Sequence, residues 1–234
     1  MNPARLAAGL LILVQAFLIF VPMIILGGAI NWPESLDYPP AQALPLIHEQ
    51  IDGVRLGYGV YLLYSVLFAV TGTVIIWLAG RRDGVFGPLM ALGVGLACIS
   101  ALARAIGIVR WLTGSTALAE AYAQPDADKP ALEAAQLALN AWGGSVGENL
   151  GVAIFASLWA ACVAVLMIRR GGVMRWVGLI GILVAVIVIL PAFEMFGMDL
   201  ISIIVSTSAL HLWLMLIGAV TLIGAFKDRG ADNP

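Results

Sequence analysis

Two arginines stand where an apolar run should close. Arg104 and Arg110 lie in the stretch SALARAIGIVRWL, from Ser100 to Leu112, at the end of a long hydrophobic segment. A guanidinium in such a run is expensive to bury, so it needs a partner or a task. The best partner by residue type is Glu148, in GGSVGENLG from Gly143 to Gly151, with Asn149 beside it. Three readings of Arg104 and Glu148 follow: an ion pair tying two helices together, independent side chains reaching for the rim, or a site for a ligand. A second carboxylate, Glu194, and a histidine, His211 in STSALHLW, widen the chemistry available. Polar groups of mixed type set among apolar ones are what a binding pocket requires. A lipid- or quinone-directed enzyme would use Glu148 or Glu194 as acid and base, with Arg104 holding an anionic group.

Other residue types offer less. His211 reads either as a neutral, hydrogen-bonded histidine or as a proton-handling or ligand-contacting one. His48, Glu49 and Asp52 are close in sequence but lack the second histidine of a zinc motif, so no metal site is expected. The only two histidines lie in widely separated segments and at different depths, His48 in an outer loop and His211 within the bilayer, so haem ligation by the pair is not expected, nor is any cofactor. Cys98 and Cys162 both fall in apolar runs and read as small packing residues.

The elements that must position these groups are long and apolar. Of 234 residues, 62% are hydrophobic and 11% charged. Ordinary soluble domains are about 25% charged. Six runs are each long enough to cross a ~30 Å hydrocarbon core: Leu6–Ile30, Val54–Ala79, Val85–Thr113, Trp142–Ile168, Trp176–Phe193 and Leu200–Phe226. Backbone groups in lipid must be satisfied within their own segment, so each run is a helix. The expected fold is all-α, a single six-transmembrane-helix bundle in a plasma membrane, with the bilayer itself as its first partner. A net charge of −2, without a basic stripe, argues against a nucleic-acid partner, and the sequence names no protein partner.

Lys and Arg placement orients the bundle. Arg5, Arg81, Arg82, Arg169, Arg170, Arg175, Lys227 and Arg229 fall on one side, and Arg55, Arg104, Arg110 and Lys129 on the other. The positive-inside rule then puts both termini in the cytoplasm. Arg5 and Gly27-Gly28-Ala29 resemble a signal peptide, but the intervening run is too long, and an uncleaved first span is expected. The basic turns at Arg81 and Arg169 share the pattern RRxGV, which reads as similar membrane turns or as a parallel repeat. Two longer outer loops are expected to carry short helices: one over Ala41–Gln50, and one starting at the cap residue Asp128 and running into span four, with a hinge at Gln124–Asp128. Trp32, Trp111 and Trp142 at outer edges, and Trp77 and Trp176 at inner ones, read as interfacial anchors. Gly143, Gly147 and Gly151, like Gly53 and Gly57, offer small faces for close helix packing.

Counting helical rise from the basic edges places Arg104, Glu148, Glu194 and His211 at ~33, ~31, ~28 and ~24 Å, with Tyr61 and Tyr64 at similar depth. Arg110 comes out at ~42 Å, in the headgroups or beyond. The expectation is a polar layer in the outer leaflet built from Arg104, Glu148, Asn149, Glu194, His211 and Tyr61. It would bind a small amphiphile or lipid headgroup, for sensing or transport. The alternatives are the enzyme above, or a structural or partner-binding subunit using the outer loops.

The arginine in ALARAIG (Ala101–Gly107) and the RWVGLIG that opens span five (Arg175–Gly181) resemble domain-of-unknown-function family 4386, a bacterial membrane family. The resemblance extends over spans two to six and implies an integral membrane fold without an assigned activity. Members often carry a glutamate three residues after the span-three arginine, where this chain has Gly107.

Overall fold

A computed structural model describes residues 2–80 and 87–227. Arg81, Arg82, Arg229 and the start of span three at Val85 lie outside the described residues, and with them one copy of the RRxGV turn. The described residues are mostly helical, without a strand. Six helices are long and apolar enough to cross a membrane.

The first span is two helices, α1 (Pro3–Leu18) and α2 (Phe20–Ile30). Asn2 caps α1 by accepting the Arg5 N–H at 3.2 Å, and Pro3 stands in the first turn, where its missing N–H costs nothing. The break after Leu18 has a cause in Pro22, which cannot donate to the carbonyl four residues back and crowds it. Asn31, with φ 58°, closes α2 in the left-handed conformation. A short 3-10 turn (Glu34–Asp37) leads to α3 (Pro40–Glu49) and then to α4 (Ile51–Gly80). Next come α5 (Pro88–Leu112), α6 (Gly114–Tyr122) and α7 (Lys129–Gly144). Asp128 caps α7 through the Ala131 N–H at 3.2 Å.

Span four departs from a regular helix. From α7 the chain continues without a break into an 11-residue π-helix over Ser145–Phe155, and then into α8 (Ala156–Arg170). Gly171 and Gly172, at φ 79° and 60°, turn the chain into α9 (Val173–Ile189) through a backbone conformation that side chains resist. A 3-10 segment (Leu190–Phe196) follows α9, and α10 (Ile203–Lys227) completes the chain.

The start of α1 and the end of α10 meet at one end of the bundle, where Asn2 N–H donates to the Ala225 carbonyl at 3.2 Å. At that same end Arg170 donates to the Leu78 carbonyl, tying α8 to α4. The opposite, distal end carries α3, α6 and α7. Leu10, Val14, Phe17, Ile24, Leu63 and Leu183 are exposed on the outside of the bundle, which is the dress of a protein solvated by lipid. Inside are two apolar clusters. The larger centres on Phe68, Trp159 and Trp213. The distal one gathers Leu26, Leu44, Ile47, Tyr58 and Trp111. The groups singled out in the sequence sit on the elements between them.

Candidate functional site: a cationic layer between two apolar cores

The layer is built on one face of α4. Tyr58, Tyr61, Tyr64 and Phe68 recur at three- and four-residue spacing, so they rise along one side of the helix. Their rings form a ladder: Tyr58 and Tyr61 have centroids 6.5 Å apart, and Tyr61 and Tyr64 5.8 Å apart. Trp111 from α5 stacks on Tyr58 at 4.9 Å, and Phe68 meets Trp159 from α8 edge-on at 4.9 Å.

Arg104 enters this ladder from α5. It is 4% exposed, and its guanidinium lies over the Phe68 ring, 4.3 Å from the centroid. Its backbone rests against the π-helix, since a Cβ on Gly151 would come within 2.9 Å of the Arg104 nitrogen. Ser100 reinforces the contact by donating to the Gly151 carbonyl at 2.7 Å. Arg104 therefore does not reach for the rim. Nor does it form the ion pair with Glu148 that was one of the three readings of the sequence: among the described residues Arg104 forms no ion pair. Its Nε and Nη2 are buried without a hydrogen-bond partner.

Glu148 pairs with Arg110 instead, at 3.8 Å. Arg110 is 8% exposed, packed inside the protein despite its distance from the basic edge. The physical reason lies in the distal end. There α3, α6 and α7 cover the end of α5, and rise along one helix says nothing about what is packed above it. Gly143 and Gly144 clear the space for the arginine, whose stem passes against Gly143 and whose guanidinium passes against Gly144. Trp111 is likewise 5% exposed and stacked on Tyr58, rather than an interfacial anchor. Trp142 and Trp176 do face outward.

His211 comes from α10. Its Nδ1 is 2.6 Å from the Thr207 carbonyl and its Nε2 is 2.8 Å from the Tyr64 hydroxyl. A carbonyl can only accept, so Nδ1 carries a proton. In the neutral ring Nε2 then accepts from the Tyr64 O–H. The side chains of Arg104 and Gln15 are hydrogen-bond partners of the same tyrosine. Gln15 also donates to the Tyr64 backbone carbonyl at 3.2 Å, pinning α1 to α4. The result is a directional chain running from the cation through Tyr64 and His211 to Thr207.

Of the groups named from sequence, Arg104, Tyr61, Tyr64 and His211 thus meet, and Glu148 joins them through Arg110. Tyr61 is within electrostatic reach of Arg104, Arg110 and Glu148 together. Asn149 is buried on the π-helix next to Glu148. Glu194 is exposed on the 3-10 segment, near Glu148 but outside the packed layer. Sequence reasoning missed Tyr58, Phe68 and Gln15. The aromatic spacing on α4 was a signal for the first two, and a lone glutamine in an apolar run was one for the third. Among the described residues no cluster of His, Cys, Asp and Glu suits a metal ion. A cavity of about 10 Å³ at the distal end is lined by Ile30, Ala43, Ile47 and Trp111 and does not include Arg104.

The model for a domain of unknown function, DUF4386, matches residues 7–224, all six spans. The chain belongs to the DUF4386 family. The match reaches beyond spans two to six, where the resemblance had been drawn, and takes in most of α1. No curated protein and no solved structure matches the chain. For this DUF4386 member the glycine at position 107 has a visible reason: a Cβ there would press on the Gly147 Cα, at 2.6 Å, and the Gly143 carbonyl, at 2.9 Å. A glutamate could not occupy this crossing.

Proposed function

We propose that this membrane protein binds a small amphiphile or lipid headgroup in the layer around Arg104, in the service of sensing or transport. In this reading the distal end faces outward from a plasma membrane, both termini are cytoplasmic, and the layer lies in the outer leaflet. The observation that carries it is Arg104, nine-tenths buried with Nε and Nη2 unpartnered. A charge within hydrocarbon costs about 2.5–3.5 kcal/mol on insertion scales. A desolvated cation–π contact such as that with Phe68 returns about 2 kcal/mol. That offsets most of the burial but leaves donors whose loss of partners costs about 1–3 kcal/mol. A headgroup able to accept hydrogen bonds removes that cost and fixes its own position in the same step.

The test is thermal unfolding of the detergent-purified protein with and without a bacterial polar lipid extract. We expect a clear rise in Tm for the wild type and little or none for Arg104→Ala. Equal stabilisation of both proteins would remove Arg104 from the reading.

A further inference from the structure

We infer that the layer takes an oxyanion, and that Glu148 is its built-in competitor, the group the incoming anion displaces from Arg110. The inference rests on the binding reading above and adds the charge of the ligand and the residue that opposes it. Three observations lead to it.

The first is the quality of the existing pair. Charge-assisted N–H···O⁻ bonds run about 2.7–2.9 Å. The Arg110 Nη2 to Glu148 Oε1 distance is 3.8 Å, an ion pair without a hydrogen bond. The Glu148 side chain is 44% exposed while that of Arg110 is 7% exposed, so the carboxylate is the partner that reaches the molecular surface.

The second is the count of unpartnered donors. Arg104 Nε and Nη2 and Arg110 Nε are all buried without acceptors. Both arginines project from α5 six residues apart, about 9 Å along the axis, and both lie within electrostatic reach of the Tyr61 ring. Glu148 satisfies Arg110 by charge alone and Arg104 not at all. An oxyanion with two or three oxygens can do more than a carboxylate tethered to the π-helix.

The third is the charge around Glu148. Glu194 and Asp37 lie within electrostatic reach of it, and both are exposed. Both repel its charge, each less strongly than Arg110 attracts it, and so set themselves against the pair. An entering anion meets the same two carboxylates, so it outcompetes Glu148 only by collecting the free guanidinium donors.

The experiment is calorimetric titration of the full chain in phosphatidylcholine nanodiscs with dodecyl phosphate and, separately, with inorganic phosphate. Dodecylphosphocholine serves as the zwitterionic comparison. We expect dodecyl phosphate to bind the wild type, Glu148→Gln to bind it about tenfold more tightly, and Arg110→Gln to lose about as much. Dodecylphosphocholine should not respond to Glu148→Gln. Glu120→Gln, at the exposed pair that Arg55 makes with Glu120 at 3.1 Å, should change nothing. Should Glu148→Gln not fold, Glu148→Asp draws the carboxylate back by one methylene and should also tighten binding. If inorganic phosphate alone shows the same response, the competitor role stands and the ligand is a free anion rather than a lipid. If dodecyl phosphate binds in an Arg104-dependent manner while both Glu148 variants leave it unchanged or weaker, the competitor inference is overturned and the binding reading survives. If none of the three probes binds, both fall.

Discussion

At the scale of single residues, the layer is held by a chain of hydrogen bonds with a direction. Thr207 offers His211 a carbonyl on the same helix, which fixes the ring and leaves Nε2 pointing at Tyr64. Tyr64 in turn keeps its oxygen lone pairs free for the Arg104 side. Tyr64→Phe keeps the ring and removes the hydroxyl, so the stacking with His211 at 5.8 Å survives while Nε2 loses its donor. Interhelical hydrogen bonds in membranes are modest, so the expected loss is about 1 kcal/mol in a reversible unfolding measurement. Side-chain ¹⁵N NMR of His211 should show the Nδ1–H form in both proteins. A proton on Nε2 instead would reverse the direction assigned to the chain.

At the scale of elements, the junction of α5 with the π-helix sets the geometry. Gly107 and Gly147 bring two backbones into direct contact, and Gly151 does the same against Arg104. An added methyl at Gly107 meets backbone, which cannot step aside, so Gly107→Ala should destabilise by about 1–3 kcal/mol. Gly95 lies on the same helix with open space around its Cα. Gly95→Ala should therefore be neutral, or stabilise by up to about 1 kcal/mol through helix propensity. Opposite signs for one substitution on one helix, read from paired unfolding curves, are the signature of the crossing. Two losses of similar size would show that the contact does not matter. This junction also marks where sequence reading stopped. The apolar runs gave all six spans, because hydrocarbon thickness leaves little choice of length, and Asp128 marked the start of α7. The small-residue steps at Gly143, Gly147 and Gly151 announced close packing. They did not announce a π-helix, since the winding depends on the partner helix and leaves no period of its own in eleven residues. The Glu148 pairing failed for a related reason. Residue type identifies a partner for an arginine, but two arginines on one helix differ only in what faces them, and that is decided by α4 and the π-helix.

At the scale of the whole molecule, the two apolar clusters have different settings. The larger is wrapped by spans whose outer faces are apolar, while the distal one is roofed by α3, α6 and α7, held by polar contacts such as Gln136 to Ser115 at 3.1 Å and Tyr122 to Glu133 at 2.7 Å. The cationic layer between them is useful to an outside ligand only if that roof faces outward, as the proposed orientation has it. The basic residues support that orientation, because Arg5, Arg169, Arg170 and Arg175 gather at the end opposite the roof, and cytoplasmic loops carry the excess of Lys and Arg. In a Cys98→Ser background, which leaves only the buried Cys162, a cysteine at Gln124 in the bend between α6 and α7 should react with a membrane-impermeant maleimide on intact cells. A cysteine at Val173, exposed at the start of α9, should react only after permeabilisation. The reverse pattern would turn the roof toward the cytoplasm, and with it the side from which an anion could reach Arg110 and Arg104.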